Sequence, residues 1–221
     1  MSAPVSDARR RLLVGIAAQV PQGNPPDCVR VAVDGVDGAG KTTFADQLAA
    51  ELRDGGRDVV RVSIDDFHHP RAVRYRRGRS SPEGFWLDSY DLRTLHQRVL
   101  QPLGPGGHRR YRGAAHDLVT DRLVEPPEQT APAGAVLVLD GLFLHRDELF
   151  GTWDLSIFLQ VPFSVSVPRM AARDGSSADP GHPSVARYVQ GQGLYFAACS
   201  PWARADVVVD NTNLDTPAVV A

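Results

Sequence analysis

The stretch Val29-Arg30-Val31-Ala32-Val33-Asp34-Gly35-Val36-Asp37-Gly38-Ala39-Gly40-Lys41-Thr42-Thr43 decides the fold. Its first six residues are mostly β-branched and apolar, which reads as a short strand buried on both faces. The glycines at 35, 38 and 40 let the backbone curl so that successive N–H groups converge. Lys41 then opens a helix over 41–54, with Phe44, Leu48 and Leu52 on one face and Gly55-Gly56 as its stop. Strand, glycine turn and helix N-terminus in this order aim backbone donors and the helix dipole at one point, which suits a phosphate. Gly, four residues, then Gly-Lys-Thr is the spacing of a nucleoside-triphosphate loop. Its residues Gly35, Val36, Asp37, Gly38, Ala39, Gly40, Lys41, Thr42 and Thr43 are the nucleotide-binding candidates. In that reading Lys41 reaches the β- and γ-phosphates and the Thr42 hydroxyl ligates Mg²⁺. Of 24 basic side chains 23 are arginine, and Lys41 is the single lysine. A compact ammonium on a flexible stem is not replaced by guanidinium at such a site.

Outward from this stretch, further apolar runs at 59–64, 135–140, 155–161 and 205–210 alternate with helical patterns at 90–100, about 162–173 and 184–198. Continuous apolar strands separated by helices predict an α/β fold, a five-stranded parallel sheet of the P-loop NTPase type with helices on both faces. Ser6 caps an amphipathic opening helix over about 6–20. Residues 71–84 read as irregular and arginine-rich, and the cluster Arg71, Arg74, Arg76, Arg77 and Arg79 as a solvated, mobile loop, with an anionic-substrate site or a nucleic-acid contact as the alternatives. Residues 102–134 are rich in Pro and Gly and without clear period.

The chain has 221 residues, 43% hydrophobic, with a formal net charge of −2. That suits a single domain over 1–221 with an acceptor-side insertion at about 66–125 and a small lid at about 169–183. The charge balance gives no footprint for nucleic acid, and no apolar run reaches membrane-spanning length. Cys28 and Cys199 sit in apolar surroundings and read as buried free thiols. Arg9-Arg10-Arg11 precedes an apolar stretch at helical spacing, so an amphipathic helix is expected there rather than a secretory signal, and a cytoplasmic setting with it. Self-association is left open.

A guanine-reading Asn-Lys-x-Asp motif is impossible with one lysine, and no Ser-Gly-Gly-Gln signature occurs. What remains is a small phosphotransferase, which needs a proton acceptor, a metal-organising carboxylate and arginines to neutralise developing charge. Acids fall at strand ends at Asp65-Asp66 and at Asp140, where open α/β sheets place their sites.

The phosphate loop, Ser63-Ile64-Asp65-Asp66-Phe67-His68 and the strand ending in Asp140-Gly141 resemble the uridine kinase, phosphoribulokinase and pantothenate kinase superfamily, uridine kinases most of all. The resemblance spans about residues 28–211. It implies an ATP- and Mg²⁺-dependent kinase with a small-molecule acceptor. It implies Asp65 as catalytic base, Mg²⁺ on Thr42 and Asp140, and Lys41, Arg169 and Arg173 as charge-neutralising groups. It also implies His68, Tyr111 and His116 as substrate contacts. Tyr111-Arg112-Gly113-Ala114-Ala115-His116 keeps the tyrosine and histidine of the family's pyrimidine-binding segment, while its aromatic position is Gly113. The lid's expected Glu-Arg-Gly-Arg is replaced across 175–182. The leading acceptor is therefore a uridine- or cytidine-like nucleoside, with a pantothenate-like or sugar hydroxyl as alternative, and a non-catalytic nucleotide sensor as a third reading.

Overall fold

The computed structural model describes residues 5–221. Helix α1 (Asp7–Ala17) is followed by β1 (Val29–Gly35), α2 (Lys41–Asp54) and β2 (Val59–Ser63). Next come short helices α3 (Arg71–Arg74), α4 (Pro82–Asp88) and α5 (Leu92–Leu95), then two-residue strands β3 (Arg110–Tyr111), β4 (His116–Asp117), β5 (Arg122–Leu123) and β6 (Gln129–Thr130). The chain finishes with β7 (Val136–Gly141), β8 (Leu155–Gln160), α6 (Phe163–Asp174), α7 (Pro183–Cys199), α8 (Pro201–Arg204), β9 (Val207–Asp210) and β10 (Ala218–Val219).

The main sheet has the order β10-β9-β8-β1-β7-β2. Its five long strands are parallel, as their apolar runs require, and β1 lies between β7 and β8. The strand order reverses on either side of β1, so the turn after it opens into a crevice, the place where α/β sheets bind ligands. The pleat sends alternate residues to opposite faces. Val31, Val33 and Val138 join Leu13, Ile16, Phe44 and Leu48 from α1 and α2 in one buried cluster. On the other face Ala32, Leu137 and Leu139 meet Phe85, Leu95 and Tyr195 from α4, α5 and α7. Each large apolar side chain buried this way contributes about 1.5–3 kcal/mol. Cys28 and Cys199 are both buried and free. Among the described residues no helix is long and apolar enough to cross a membrane.

Two glycines set how closely the site's walls approach. Gly38 has φ +75°, and a Cβ there would lie 2.1 Å from the Ser166 carbonyl oxygen of α6. Gly141 has φ +156°, and its Cβ would lie 2.0 Å from Ile64 Cγ2. Any side chain at either position forces the backbone apart.

The structure departs from the sequence expectations at several points. A sixth, antiparallel strand, β10, pairs two residues with the edge strand β9. The opening helix, capped by Ser6, ends at Ala17, short of residue 20. The helix expected at 90–100 is α5 continued by a wider π-type turn over His96–Leu100. The segment 71–84 is not irregular: it holds α3 and the start of α4. Four of its five arginines, Arg71, Arg76, Arg77 and Arg79, are exposed as a solvated loop requires, but the segment is held by ion pairs. Arg76 and Arg77 bind the buried carboxylate of Asp88, while Arg74, itself buried, lies 3.5 Å from Asp121. A buried carboxylate needs such partners, and these order the segment.

Candidate functional site

Gly40 takes a left-handed conformation, caps α2 with its backbone and turns the phosphate loop into the helix. Lys41 Nζ folds over the loop and donates to the Val36 carbonyl at 2.9 Å. Two buried side chains hold the loop in shape. Asn211, after β9, donates to the Ala39 carbonyl at 2.7 Å and accepts from Arg9 of α1 at 2.9 Å. Gln192 of α7 accepts from the Asp37 N–H at 2.7 Å. Burial pushes the Asp37 carboxyl up, against the opposing pull of the nearby Lys41 ammonium.

Behind the loop, Asp34 is fully buried. It accepts from the backbone of Gly35 (2.7 Å), Phe143 (3.1 Å), Leu144 (3.0 Å) and His145 (3.2 Å). It also accepts from the Tyr195 hydroxyl, and His145 Nδ1 lies 2.8 Å away. Burial and the adjoining carboxylate raise the Tyr195 phenol far above its ordinary value, so it stays a donor. A carboxylate with this many donors tolerates zero exposure, and it ties β1, the turn after β7 and α7 together.

Asp140, at the end of β7, is buried. One carboxylate oxygen accepts from Thr42 Oγ1 at 2.8 Å; the other accepts from Arg61 Nη2 at 2.9 Å. Mg²⁺ prefers a few hard oxygen ligands and completes its shell with water and substrate phosphates. An adjacent hydroxyl and carboxylate at the mouth of a phosphate loop fit that chemistry. Among the described residues no group of three or more His, Cys, Asp or Glu side chains forms a self-sufficient metal cage.

A cavity of about 210 Å³ opens beside the loop, with Asp37, Asp65, His68, Tyr90, Arg173 and Arg187 among its walls. Asp65 lies in the 3₁₀ turn Ile64–Phe67 that ends β2, where the Ser63 hydroxyl accepts from its N–H at 3.3 Å. Its Oδ1 accepts from the buried Tyr90 hydroxyl at 2.9 Å. Burial, then the Asp65 charge, raises the Tyr90 phenol well above its usual range, which keeps the proton on tyrosine. His68 Nδ1 lies 2.8 Å from the Asp65 carbonyl, and its ring centroid lies 4.5 Å from that of Tyr90 with the planes tilted by 48°. Burial lowers its pKa, with Asp65 opposing, which favours the neutral ring as a hydrogen-bonding group. A larger cavity, about 750 Å³, lies where Phe158, Phe196 and Trp202 meet Asp210; Asp65 and the phosphate loop are not among its walls, so size does not locate the site.

The structure thus brings Asp65, His68 and Arg173 into one cavity with the loop residue Asp37. Three other expected residues lie elsewhere. Tyr111, on the small β3–β6 ladder, donates to Gln129 at 2.8 Å. His116 is buried on β4, with Nε2 at 3.2 Å from Asp121. Arg169 donates to the carbonyls of Asn211 (3.2 Å) and Thr212 (2.6 Å), which places it at the loop after β9. Tyr111, His116 and Arg169 are not among the cavity's walls. Arg187 is a cavity residue that the sequence did not point to, and for Tyr90 the sequence offers the acceptor pocket or packing under a lid but not its bond to Asp65. Tyr90 stands 25 positions from the carboxylate it binds, and no local pattern links the two. Arg187 had one available signal, a basic residue amid the apolar periodicity of α7.

A buried strand–glycine loop–helix with a hydroxyl and a carboxylate at its mouth is the nucleotide site of a P-loop protein. No protein-family profile matches the sequence. A uridine kinase from Shewanella piezotolerans is 26% identical over 162 residues, covering 68% of this chain and 71% of that protein. A thymidylate kinase from Xylella fastidiosa is 34% identical over 150 residues, covering 65% and 66%. A solved structure from Silicibacter sp. TM1040, described as a candidate fructose transport system kinase, superposes with a TM-score of 0.71 at 25% identity over 90% of this chain and 98% of that one. The chain is thus similar in sequence to uridine and thymidylate kinases and has the fold of the P-loop kinases.

Proposed function

We propose that this kinase transfers the γ-phosphate of Mg·ATP to a hydroxyl of a small acceptor held against Asp65. One observation carries the reading: the Asp65 carboxylate is fixed by the Tyr90 hydroxyl at 2.9 Å within a cavity that also contains phosphate-loop and α6 side chains. With one oxygen held, the other takes the acceptor proton as the acceptor oxygen attacks the γ-phosphorus and the bond to the β,γ-bridging oxygen breaks, releasing ADP. Lys41 and Arg173 neutralise charge on the transferring group, and Arg169 braces the nucleotide side. Mg²⁺, held through Thr42 and Asp140, supplies charge neutralisation on the phosphates. The segment 169–183 closes over the cavity and excludes water. A reaction that consumes ATP belongs in the cytoplasm.

The uridine kinase relatives support a uridine- or cytidine-like acceptor, and the candidate fructose kinase supports a sugar. Tyr111 and His116 lend the nucleoside no contact in this cavity. The reading is tested by Asp65→Asn, which lowers acceptor-dependent ADP release about 10²–10⁴-fold and leaves Mg·ATP binding intact. Unchanged turnover in that variant removes Asp65 from the chemistry and favours a nucleotide sensor.

A further inference from the structure

Four arginines are buried: Arg9, Arg74, Arg146 and Arg187. Arg146 makes a two-pronged pair with Glu148 at 2.8 and 2.7 Å. Arg74 has Asp121 at 3.5 Å and the His69 carbonyl at 2.7 Å. Arg9 has the amide oxygens of Gln47 (2.6 Å) and Asn211 (2.9 Å). Arg187 is different. It is 8% exposed, and its only hydrogen bond is from Nη1 to the Arg79 carbonyl at 2.8 Å. Its Nε has no acceptor, and no carboxylate among the described residues pairs with it. The rings of Tyr75, Phe85 and Tyr188 surround the guanidinium at 4.8, 5.5 and 5.8 Å. Aromatic faces attract a cation but supply no neutralising charge, so a buried guanidinium in such a cage lacks its counter-ion.

Arg187 also lines the cavity that contains Asp65, and Arg74 stands in the same wall. We propose that the acceptor carries an anionic group, carboxylate or phosphate, which Arg187 receives with help from Arg74 while the hydroxyl to be phosphorylated rests on Asp65. This inference rests on the phosphotransfer reading for the role of Asp65. The charges orient such a molecule. Asp65 repels its anionic end and Arg187 attracts it, so the anionic end rests on Arg187 while the hydroxyl lies on Asp65; Arg173 and Asp174, adjacent on α6, line the same cavity with opposite charges. The planar fork of arginine suits carboxylate and phosphate equally. A neutral nucleoside or sugar leaves Arg187 unpaired. Arg187 is thus a specificity residue for the acceptor, in the same cavity as the base.

The test uses the intact protein with saturating Mg·ADP, so that the phosphate loop is filled. Matched pairs are titrated by calorimetry and thermal melting: D-glycerate against glycerol, pantothenate against panthenol, ribulose 5-phosphate against ribulose, with inorganic phosphate as a bare probe. The expected result is that, in at least one pair, the anionic member binds about 30-fold or more tightly than its neutral counterpart. Arg187→Met removes that discrimination and Arg187→Lys restores part of it. Inorganic phosphate raises the melting temperature of wild type more than that of Arg187→Met. Equal binding within every pair, or an equal phosphate response in wild type and Arg187→Met, overturns the proposal. Should Arg187→Met fail to fold, the wild-type pairs and Arg187→Lys decide. ADP release in the same mixtures, with ATP in place of ADP, judges phosphotransfer separately. Arg187-dependent anion binding without ADP release keeps this site and removes the kinase role for Asp65. Release with neutral members alone does the reverse.

Discussion

Asp34 and Arg187 are both buried charges, one behind the phosphate loop and one beyond the acceptor cavity. Asp34 is saturated: four backbone N–H groups, the Tyr195 hydroxyl and the His145 ring all face it. Arg187 has a single carbonyl and three aromatic faces. The two regions follow the same contrast. On the donor side the chain satisfies the buried Asp34 carboxylate and, through Asn211 and Gln192, holds the loop in one shape before any ligand arrives. Only His145 Nε2 and Ser166 Oγ are left without a partner there among the described residues. On the acceptor side an exposed carboxylate, Asp65, and an unpaired cation share a cavity. Scaffolds satisfy themselves, whereas recognition sites leave groups for the ligand to satisfy.

Three changes break or sharpen that contrast. The largest effect is expected from Lys41→Ala, which removes the only ammonium of the donor side. The value of kcat/KM falls about 10²–10³-fold, read as acceptor-dependent ADP release, because the transferring phosphate loses a fixed charge. Next, Tyr195→Phe deletes one donor from the saturated Asp34 and costs about 1.5–3 kcal/mol in urea unfolding, the range for a hydrogen bond to a charged group. A loss within experimental error would show that Asp34 does not tie β1, the turn after β7 and α7 together. The smallest effect concerns Asp88 on the acceptor side. Burial raises its carboxyl, but the hydrogen bonds from Arg76 and Arg77 outweigh burial and hold it below the usual carboxylate value. A depressed folded-state pKa contributes stability above the unfolded value of about 4 and loses it as pH falls through the folded value. Thermal melts of wild type and Asp88→Asn therefore converge as pH drops below about 4. The arginines are partly exposed, so the difference near neutrality stays within about 1 kcal/mol.

The donor side was legible in the sequence because its signals are local. Strand, loop and helix follow one another within residues 29–54, and strands buried on both faces are continuous apolar runs. The acceptor side is assembled from distant pairs: Tyr90 with Asp65, Arg187 with the Arg79 carbonyl, Arg77 with Asp88. No periodicity connects such residues. Strands β3 to β6 are two residues each, too short for an alternation to register. Helix α4 did carry a start signal, Ser81-Pro82-Glu83, and Ser81 does cap it by accepting from the Gly84 N–H at 3.0 Å; the surrounding arginines masked it. The residues read as base contacts, Tyr111 and His116, kept the spacing of a motif, but spacing alone did not aim them into the cavity.

In the proposed reaction, loop and cavity together move a phosphate onto an acceptor hydroxyl. Its most direct measurement is the rate of ADP release from Mg·ATP by the wild-type protein, with and without each member of a panel holding uridine, cytidine, simple sugars and their carboxylate- or phosphate-bearing counterparts. Slow release alone and strong stimulation by at least one hydroxyl compound are expected, with phosphate recovered on that compound in one-to-one ratio to ADP. Tight ATP binding with release that no hydroxyl compound changes, and with no phosphorylated product, would contradict that reaction.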